Sequence, residues 1–213
     1  MPSVRRKSSA VLREFLHELH RLERFDSDNQ KKLSEAGYKA GRLSKRQLHL
    51  LTESIFFAAF RSYEGFVRDV FLLCCLGVPT GGKHRVVSYL QPRNFSHASQ
   101  LLQSAMPHLD WTSPDIVLQR AETYLKDGNP FKLPYSTNLE ALRDCKRLRN
   151  HIAHNSSESM EEYKKVVQRH YKTLPLVIPS PGEFLVLPDI TQPGKYKLLS
   201  FLDLLRQLAS DIC

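Results

Sequence analysis

In the stretch 55–75, IFFAAFRSYEGFVRDVFLLCC, apolar residues fall on nearly every side of a helix. A helix that is apolar all round is stable only when neighbouring elements cover it on several sides. The stretch belongs to a longer predicted helix of about residues 44–76, closed by Gly77 and Pro79. The sequence therefore predicts an all-α fold, a helical bundle around this central helix.

The rest of the chain shows mainly the helical spacing of apolar residues and few alternating runs. Further helices are predicted at about residues 8–25, 94–105, 114–125, 136–154, 157–171 and 200–212, the fourth with Ser136 or Thr137 as its N-cap. Residues 26–43 are polar and predict a connection or a short broken helix, and the proline-rich stretch 174–194 is compatible with a short hairpin. We expect a single domain over 1–213, with residues 79–134 as an irregular insertion between core helices.

Composition limits the class of protein and its partners. The chain is 41% hydrophobic and 25% charged, which is typical of a globular protein rather than a disordered one. It has 31 Lys and Arg against 22 Asp and Glu, a formal net charge of +9. Such a surplus attracts polyanions, although many basic proteins bind no nucleic acid. The charge is therefore compatible with an RNA or DNA partner without identifying one.

The sequence predicts neither a membrane protein nor a secreted one. No apolar run reaches the roughly 18 residues that a membrane span needs, and the start MPSVRRKSSA has no apolar stretch typical of a secretory signal. The four cysteines, Cys74, Cys75, Cys145 and Cys213, form no CxxC pair. They support neither a zinc site nor a disulfide framework, so we expect a reducing cytoplasm.

The helix LEALRDCKRLRNHIAH (139–154) carries an arginine where its apolar face is expected. With Leu139 at 0° and about 100° per residue, Leu142, Cys145 and Leu148 fall on an arc from about 180° to 320°. Arg149 falls inside that arc, at about 280°. A guanidinium there is costly to desolvate unless it is paired or faces a ligand. Two interpretations follow, a structural arginine tied to a buried carboxylate or a residue that contacts a ligand.

The central helix offers such a carboxylate. Phe57, Phe60, Glu64, Val67 and Phe71 follow the spacing +3, +4, +3, +4 and define one stripe. Glu64 is the single charge within it, and an acid among apolar neighbours is expected to find a cation. We therefore predict that Glu64 pairs with Arg149.

His154 adds a proton-transfer group at the end of the same helix. It lies five residues after Arg149, so on a straight helix the two diverge by about 140°. They converge only if the helix loosens at its end or if a second copy of the helix lies opposite. Asn150 is four residues before His154 and shares its side. His151 points to the polar side in this projection, and we expect it to be solvated.

Other candidate residues are weaker. Cys145 is interpreted as a small core residue. The remaining histidines make no HxxxH or HExxH pairing with suitable partners, so no metal site is expected. Arg143, Lys146 and Arg147 flank the arginine and histidine and could follow an RNA backbone, with Tyr135 or Trp111 available to stack on bases.

The string RNHIAH (149–154) resembles the RNxxxH form of the RxxxxH motif of HEPN ribonucleases. The segment LEALRDCKRLRNHIAH is similar to the motif helix of that family, and AAFRSYEGFVRDVF (58–71) is similar to its earlier helix. This form of the motif resembles that of the RiboL-PSP-HEPN group. The resemblance does not extend over residues 79–134.

This resemblance implies a helical bundle that dimerises, so that two motif helices face each other across a cleft. Arg149 would hold the scissile phosphate, and His154 would act as general base or acid for attack by the ribose 2′-hydroxyl. Asn150 would position His154 or the phosphate, and Glu64 would orient Arg149. No metal or other cofactor is implied.

Two functions from different classes follow. The first is a metal-independent endoribonuclease, a toxin or defence effector with an RNA substrate, a homodimeric state and a regulatory or antitoxin protein as partner. The alternative is a non-catalytic HEPN module that binds RNA or nucleotide or serves as a scaffold. The presence of Arg149, Asn150 and His154 together favours the ribonuclease, because a structural module does not need the histidine.

Overall fold

A computed structural model describes residues 6–34, 43–81, 86–103 and 109–213. These residues contain nine α-helices, a 3-10 turn at Lys126–Gly128 and no strand, which confirms the predicted all-α fold. The helices are α1 (Ser8–Ser34), α2 (Lys45–Cys75), α3 (Phe95–Gln103), α4 (Pro114–Tyr124), α5 (Lys132–Thr137), α6 (Leu139–His154), α7 (Ser157–Tyr171), α8 (Pro181–Val186) and α9 (Lys197–Ile212).

Contacts between Cα atoms group the chain into two compact units. Unit 1 comprises Met1–Leu16, Ser62–Arg143 and Arg206–Cys213, and unit 2 comprises His17–Arg61 and Asp144–Leu205. The expected single domain with an insertion at 79–134 stays a prediction. Within 79–134 the described residues form α3, α4, the 3-10 turn and the start of α5.

The core of unit 1 is rich in aromatic side chains. Phe15 of α1 stacks on Phe66 of α2, with 5.2 Å between the ring centroids. Phe71 lies against Phe131 at the same centroid distance, and Phe131 meets Tyr135 at 6.2 Å. Aromatic pairs at these separations add to the free energy of burial. They show which residues cover the apolar run of α2 in this unit.

Unit 2 contains the part of the molecule that carries the RNHIAH motif. Its core joins Phe56 of α2 to Phe201 of α9, 5.6 Å between centroids, and Tyr163 of α7 to Phe184 of α8, 6.0 Å apart and perpendicular. All four rings are buried. They hold α7 in place, and α7 in turn supports the end of α6.

The stretch 174–194, where a short hairpin was considered, contains helix α8, and a single antiparallel bridge between Pro188 and Tyr196 follows it. Ser180 caps the helix by accepting a hydrogen bond from the Glu183 amide, and Pro181 occupies its first turn. Gly182 donates its amide to Glu53 Oε1 at 2.7 Å. A Cβ at Gly182 would lie 2.3 Å from the His49 carbonyl oxygen, so only glycine permits this approach. The sequence pattern showed the prolines but not this long-range anchor.

Two helix boundaries also differ from the prediction. Helix α1 continues to Ser34, so residues 26–34 are helical, while Gly37 and Gly41 lie outside the described residues. Asp26 is buried there and accepts a hydrogen bond from the Tyr196 hydroxyl. This bond compensates for the burial of a polar residue in this stretch of the helix. Helix α6 begins after Asn138, whose carbonyl accepts from the Leu142 amide, rather than at Ser136 or Thr137.

The predicted 157–171 helix is confirmed as α7, and the predicted helices near 44–76, 94–105, 114–125 and 200–212 correspond to α2, α3, α4 and α9. Across the described ranges, none of the helices has the length and apolarity required to cross a membrane.

Candidate active site at the end of helix α6

The buried face of α6 is rotated from the one that the apolar residues predict. In the helical projection the buried residues span about 120° to 300°, and they include two polar residues, Asp144 and His151, as well as Leu142, Cys145 and Leu148. The burial of Cys145 agrees with its interpretation as a core residue. Arg149 is half-buried at the edge of this face, and Ala153 and His154 are exposed. The motif therefore borders solvent.

Arg149 is held within unit 2 by an aromatic ring and an amide. Its guanidinium carbon lies 5.3 Å from the centroid of the Phe57 ring, a cation–π contact. Its Nη1 donates to Asn150 Oδ1 at 3.2 Å. The structure thus brings Arg149 and Asn150 together, and it adds Phe57 as a support. The aromatic stripe that contains Phe57 was visible in the sequence, but the contact with Arg149 was not.

His154 is the last residue of α6 and is exposed. The helix does not loosen before it, because the Asn155 amide still donates to the His151 carbonyl oxygen at 3.0 Å. Asn155 then takes a left-handed conformation, with φ of 43°, and ends the helix. The divergence of about 140° between Arg149 and His154 therefore persists in the chain. Of the two ways in which they could converge, a second copy remains.

The expectation that His151 is solvated is wrong. Its side chain is 3% exposed, and Nδ1 lies 3.1 Å from the Ser159 hydroxyl oxygen. The ring stacks on Tyr163, with 4.9 Å between centroids and 13° between planes. Burial lowers the pKa of His151, which favours its neutral form. Apolar periodicity did not predict the burial of His151, because histidine is a polar residue type.

Asp144, one turn from Leu148 on the same helix, is the second buried polar residue of α6. Its side chain is 2% exposed and it meets Arg147 at 3.1 Å through one oxygen and Arg169 at 3.1 Å through the other. Arg147 also pairs with Glu162 of α7 at 3.0 Å. This network ties α6 to α7. Its geometry indicates a structural role, since each carboxylate oxygen of Asp144 already has a cation.

Glu64 is half-buried and lies in the part of α2 that belongs to unit 1, whereas Arg149, Asn150 and His154 belong to unit 2. Its predicted pairing with Arg149 stays a prediction.

The two arginines that flank the motif carry acidic partners. Arg143 pairs with Asp115 and Glu140, and Arg147 with Asp144 and Glu162. These pairs reduce the positive charge that the two arginines could offer to a phosphate backbone.

The two aromatic residues proposed for base stacking are engaged in unit 1. Tyr135 is buried, so its assignment as a stacking residue is wrong, and burial raises its pKa. Trp111 is half-buried and packs on Phe71 and under the Arg120 guanidinium. Phe57 is the aromatic residue that the structure places at the candidate site.

The chain matches no family model, no curated protein and no solved structure. The resemblance to HEPN ribonucleases therefore depends on the RNHIAH string and its helical setting.

Proposed function

We propose that this chain is a metal-independent endoribonuclease that cleaves RNA by attack of the ribose 2′-hydroxyl on the adjacent phosphate. The observation that carries the proposal is the solvent-facing end of α6. There a half-buried arginine, supported by Phe57 and Asn150, precedes an exposed histidine at the helix terminus. A cation fixed beside solvent and a group that can exchange a proton are what this reaction requires.

Arg149 is suited to the phosphate. Its side chain is oriented by the Phe57 ring and by the hydrogen bond to Asn150 Oδ1, so less side-chain entropy is lost when a phosphate binds. A guanidinium can donate two parallel hydrogen bonds to phosphate oxygens. In the proposed reaction it stabilises the charge that develops on the phosphorus-bound oxygens.

His154 is suited to the proton transfers. It accepts the proton of the 2′-hydroxyl as the oxygen attacks phosphorus, and the bond to the 5′-oxygen of the next nucleotide breaks. The leaving 5′-oxygen takes up a proton from water, His154 returns its proton to solvent, and the products are a 2′,3′-cyclic phosphate and a 5′-hydroxyl. His154 is the exposed histidine at this end of α6, whereas His151 is buried against Tyr163.

The site requires two copies of the chain. Arg149 and His154 diverge by about 140° on an intact helix, so one chain does not aim both at one phosphate. Two antiparallel copies of α6 would place the arginine of one beside the histidine of the other. We propose a homodimer with RNA as its substrate, and a role as a toxin or defence effector with a regulatory or antitoxin protein as its partner.

The test is an incubation of the pure protein with total RNA in the presence of EDTA, followed by analysis of the ends of the products. His154→Ala is expected to abolish cleavage and leave the fold and RNA affinity unchanged. Arg149→Ala is expected to abolish cleavage and weaken RNA binding. The matched controls are His20→Ala and Arg24→Ala, exposed residues of the same types on α1, which are expected to cut as the wild type does.

Cleavage that persists in His154→Ala, or that stops with EDTA, would show that the chemistry is assigned to the wrong groups. A wild-type chain that binds RNA but cuts none in this assay would favour the non-catalytic module.

The dimer has its own test. Light scattering is expected to give a mass near twice 24.6 kDa. Ala153 is exposed one residue before His154, so Ala153→Glu is expected to weaken both association and cleavage. A monomer at micromolar concentration with full activity would contradict the composite site.

A further inference from the structure

The chain between α6 and α7 is closed by a hydrogen-bond network around one hydroxyl group. Ser159 Oγ accepts from the Ser156 amide at 2.9 Å and donates to the Ser156 carbonyl oxygen at 2.9 Å. The Ser159 amide donates back to Ser156 Oγ at 3.2 Å, which completes a capping box. His151 Nδ1 approaches the same Ser159 oxygen at 3.1 Å.

The proton count at Ser159 assigns the tautomer of His151. A serine hydroxyl has one proton, and at Ser159 it is directed to the Ser156 carbonyl oxygen. His151 therefore donates its Nδ1–H to Ser159 Oγ. Burial lowers the pKa of His151 and so favours the neutral ring, in which Nε2 carries the lone pair.

The His151 ring is fixed on its other side by packing. It lies parallel to the Tyr163 ring, 4.9 Å away between centroids. The Tyr163 hydroxyl in turn donates to the Pro179 carbonyl oxygen at 3.0 Å, and both residues are buried. His151 is thus attached to α7 by a hydrogen bond and by a stacked ring.

The residues between these attachments include His154. The backbone of His151 accepts the last hydrogen bond of α6 from the Asn155 amide, and its side chain is bonded to Ser159. Asn155 and Ser156 connect the two, and Asn155 has a positive φ of 43°. The segment from His151 to Ser159, which includes His154, is thus restrained by two hydrogen bonds of His151, one to Asn155 four residues later and one to Ser159 eight residues later.

We propose that His151 is a positioning residue, which through Ser159 and Tyr163 fixes the turn between α6 and α7 and so the place of His154. The inference depends on the proposed function, in which His154 transfers the proton. A buried histidine costs desolvation that a leucine at the same place would not. The hydrogen bond to Ser159 explains why a histidine occupies this buried position, which core packing alone does not explain.

The experiment separates the hydrogen bond from the ring. His151→Phe keeps a ring to stack on Tyr163 and loses the donor, and Ser159→Ala removes the acceptor. His151→Asn loses the ring but places an amide where Nδ1 stood. Ser157→Ala, at an exposed serine in the same turn of α7, is the matched control.

Two readouts are measured on each variant, namely steady-state cleavage of a single-stranded RNA oligonucleotide and hydrogen exchange of backbone amides. His151→Phe and Ser159→Ala are expected to lower kcat about tenfold, with KM within about twofold, and to speed exchange of the Asn155 amide about tenfold, the scale of one lost hydrogen bond. His151→Asn and Ser157→Ala are expected to stay within about threefold of the wild type. The Leu148 amide, in the middle of α6, is expected not to change.

Wild-type kcat and wild-type Asn155 exchange in His151→Phe would overturn the inference. Equal acceleration at Leu148 and Asn155 would overturn it too, because that result means a general loss of packing. A wild-type chain that cuts no RNA would refute the proposed function. The hydrogen-exchange rates of the Asn155 and Leu148 amides would then decide the positioning role of His151 by themselves. Faster exchange confined to Asn155 supports it, and unchanged exchange overturns it.

Discussion

Helix α6 carries two sets of polar residues that meet different environments. The inward set, Asp144 and His151, is buried and bonded to side chains of α7. The outward set, Arg149, Asn150 and His154, is half-buried or exposed at the solvent edge of the same helix. Its contacts within unit 2 include a cation–π pair and a hydrogen bond between neighbours in sequence.

The difference separates stability from function. A buried polar group with its partners in place is costly to disturb, because its removal leaves those partners desolvated. An exposed group at a helix end contributes little to the free energy of unfolding. We therefore expect substitutions in the inward set to act first on stability, and substitutions in the outward set to act first on activity.

The largest effect on stability is expected at Asp144. Asp144→Ala removes the acceptor of Arg147 and Arg169 and is expected to lower the free energy of unfolding by about 3 kcal/mol. This is the scale for breaking a buried ion pair whose arginine partners are partly exposed. Urea denaturation measures this. Asp28→Ala is the control, since Asp28 is exposed and lies 3.8 Å from Lys31. It is expected to cost less than about 0.5 kcal/mol.

Similar losses of stability in Asp144→Ala and Asp28→Ala would contradict this prediction, because the network around Asp144 would then contribute no more than a surface pair.

A second test uses acid. His170 contacts the buried Phe184 and Phe201 rings. Burial and the nearby Lys197 lower its pKa to about 4, from an ordinary value of 6.5, although Asp144 lies 3.9 Å away. Between these two values the unfolded chain binds the proton more readily than the folded one. The contribution of His170 is therefore complete above about pH 6.5 and is lost as the pH falls towards 4.

The loss is expected to be about 2 kcal/mol, after allowance for the part of the side chain that water reaches. His170→Phe keeps a ring against Phe184 and Phe201 and removes the titration, so its urea midpoint should fall less between pH 7 and pH 4.5. The exposed His20, replaced by Gln, is the control. An acid response in His170→Phe equal to that of the wild type would assign the effect to other groups, of which His151 is the first to examine.

The same two sets explain how far the sequence predicts the structure. Apolar periodicity predicts α7 to the residue and α2 within one residue at each end, because these helices bury apolar side chains at regular spacing. It does not reveal that His151 and Asp144 are inside, since their burial depends on partners at Ser159 and Arg169 that local sequence does not display.

The candidate site divides in the same way. Arg149 was predicted inside the apolar face, and the structure places it half-buried at the edge of the buried face. Its support by Phe57 comes from a helix more than 90 positions earlier, and sequence spacing within one helix cannot provide such a contact. Helix α8 within 174–194 was not predicted for a related reason, since it is fixed by the close approach of Gly182 to His49.

A third prediction concerns the outward set and depends on the proposed function. Phe57→Leu removes the ring face from Arg149 and is expected to lower kcat about threefold, which corresponds to the roughly 0.5–1 kcal/mol of a partly exposed cation–π contact. Phe57→Tyr, which keeps the ring, is expected to stay within about twofold of the wild type. Steady-state cleavage of an RNA oligonucleotide measures both. A wild-type kcat in Phe57→Leu would mean that Phe57 does not orient Arg149.

The smallest effect is expected where the two helices end. Asn155 after α6 and Lys172 after α7 both have positive φ, 43° and 67°. Asparagine tolerates this conformation because its short polar side chain bonds locally, whereas lysine bears a cost of about 1 kcal/mol. Glycine removes that cost but adds conformational freedom to the unfolded chain. Lys172→Gly is therefore expected to stabilise the protein by about 0.5 kcal/mol, and Asn155→Gly to leave stability unchanged.

Thermal unfolding measures the pair, with a rise in Tm of about 1–2 °C expected for Lys172→Gly. The two glycine variants test whether the end of α6 that carries His154 is strained. If Asn155→Gly raises Tm as much as Lys172→Gly does, strain resides in the turn beside His154, and the network at Ser159 holds that turn against a backbone preference. If Tm does not change, the turn is relaxed in its observed conformation. Asparagine then already favours the observed backbone conformation. The hydrogen bonds of His151 and Ser156 to Ser159 only stabilise it further.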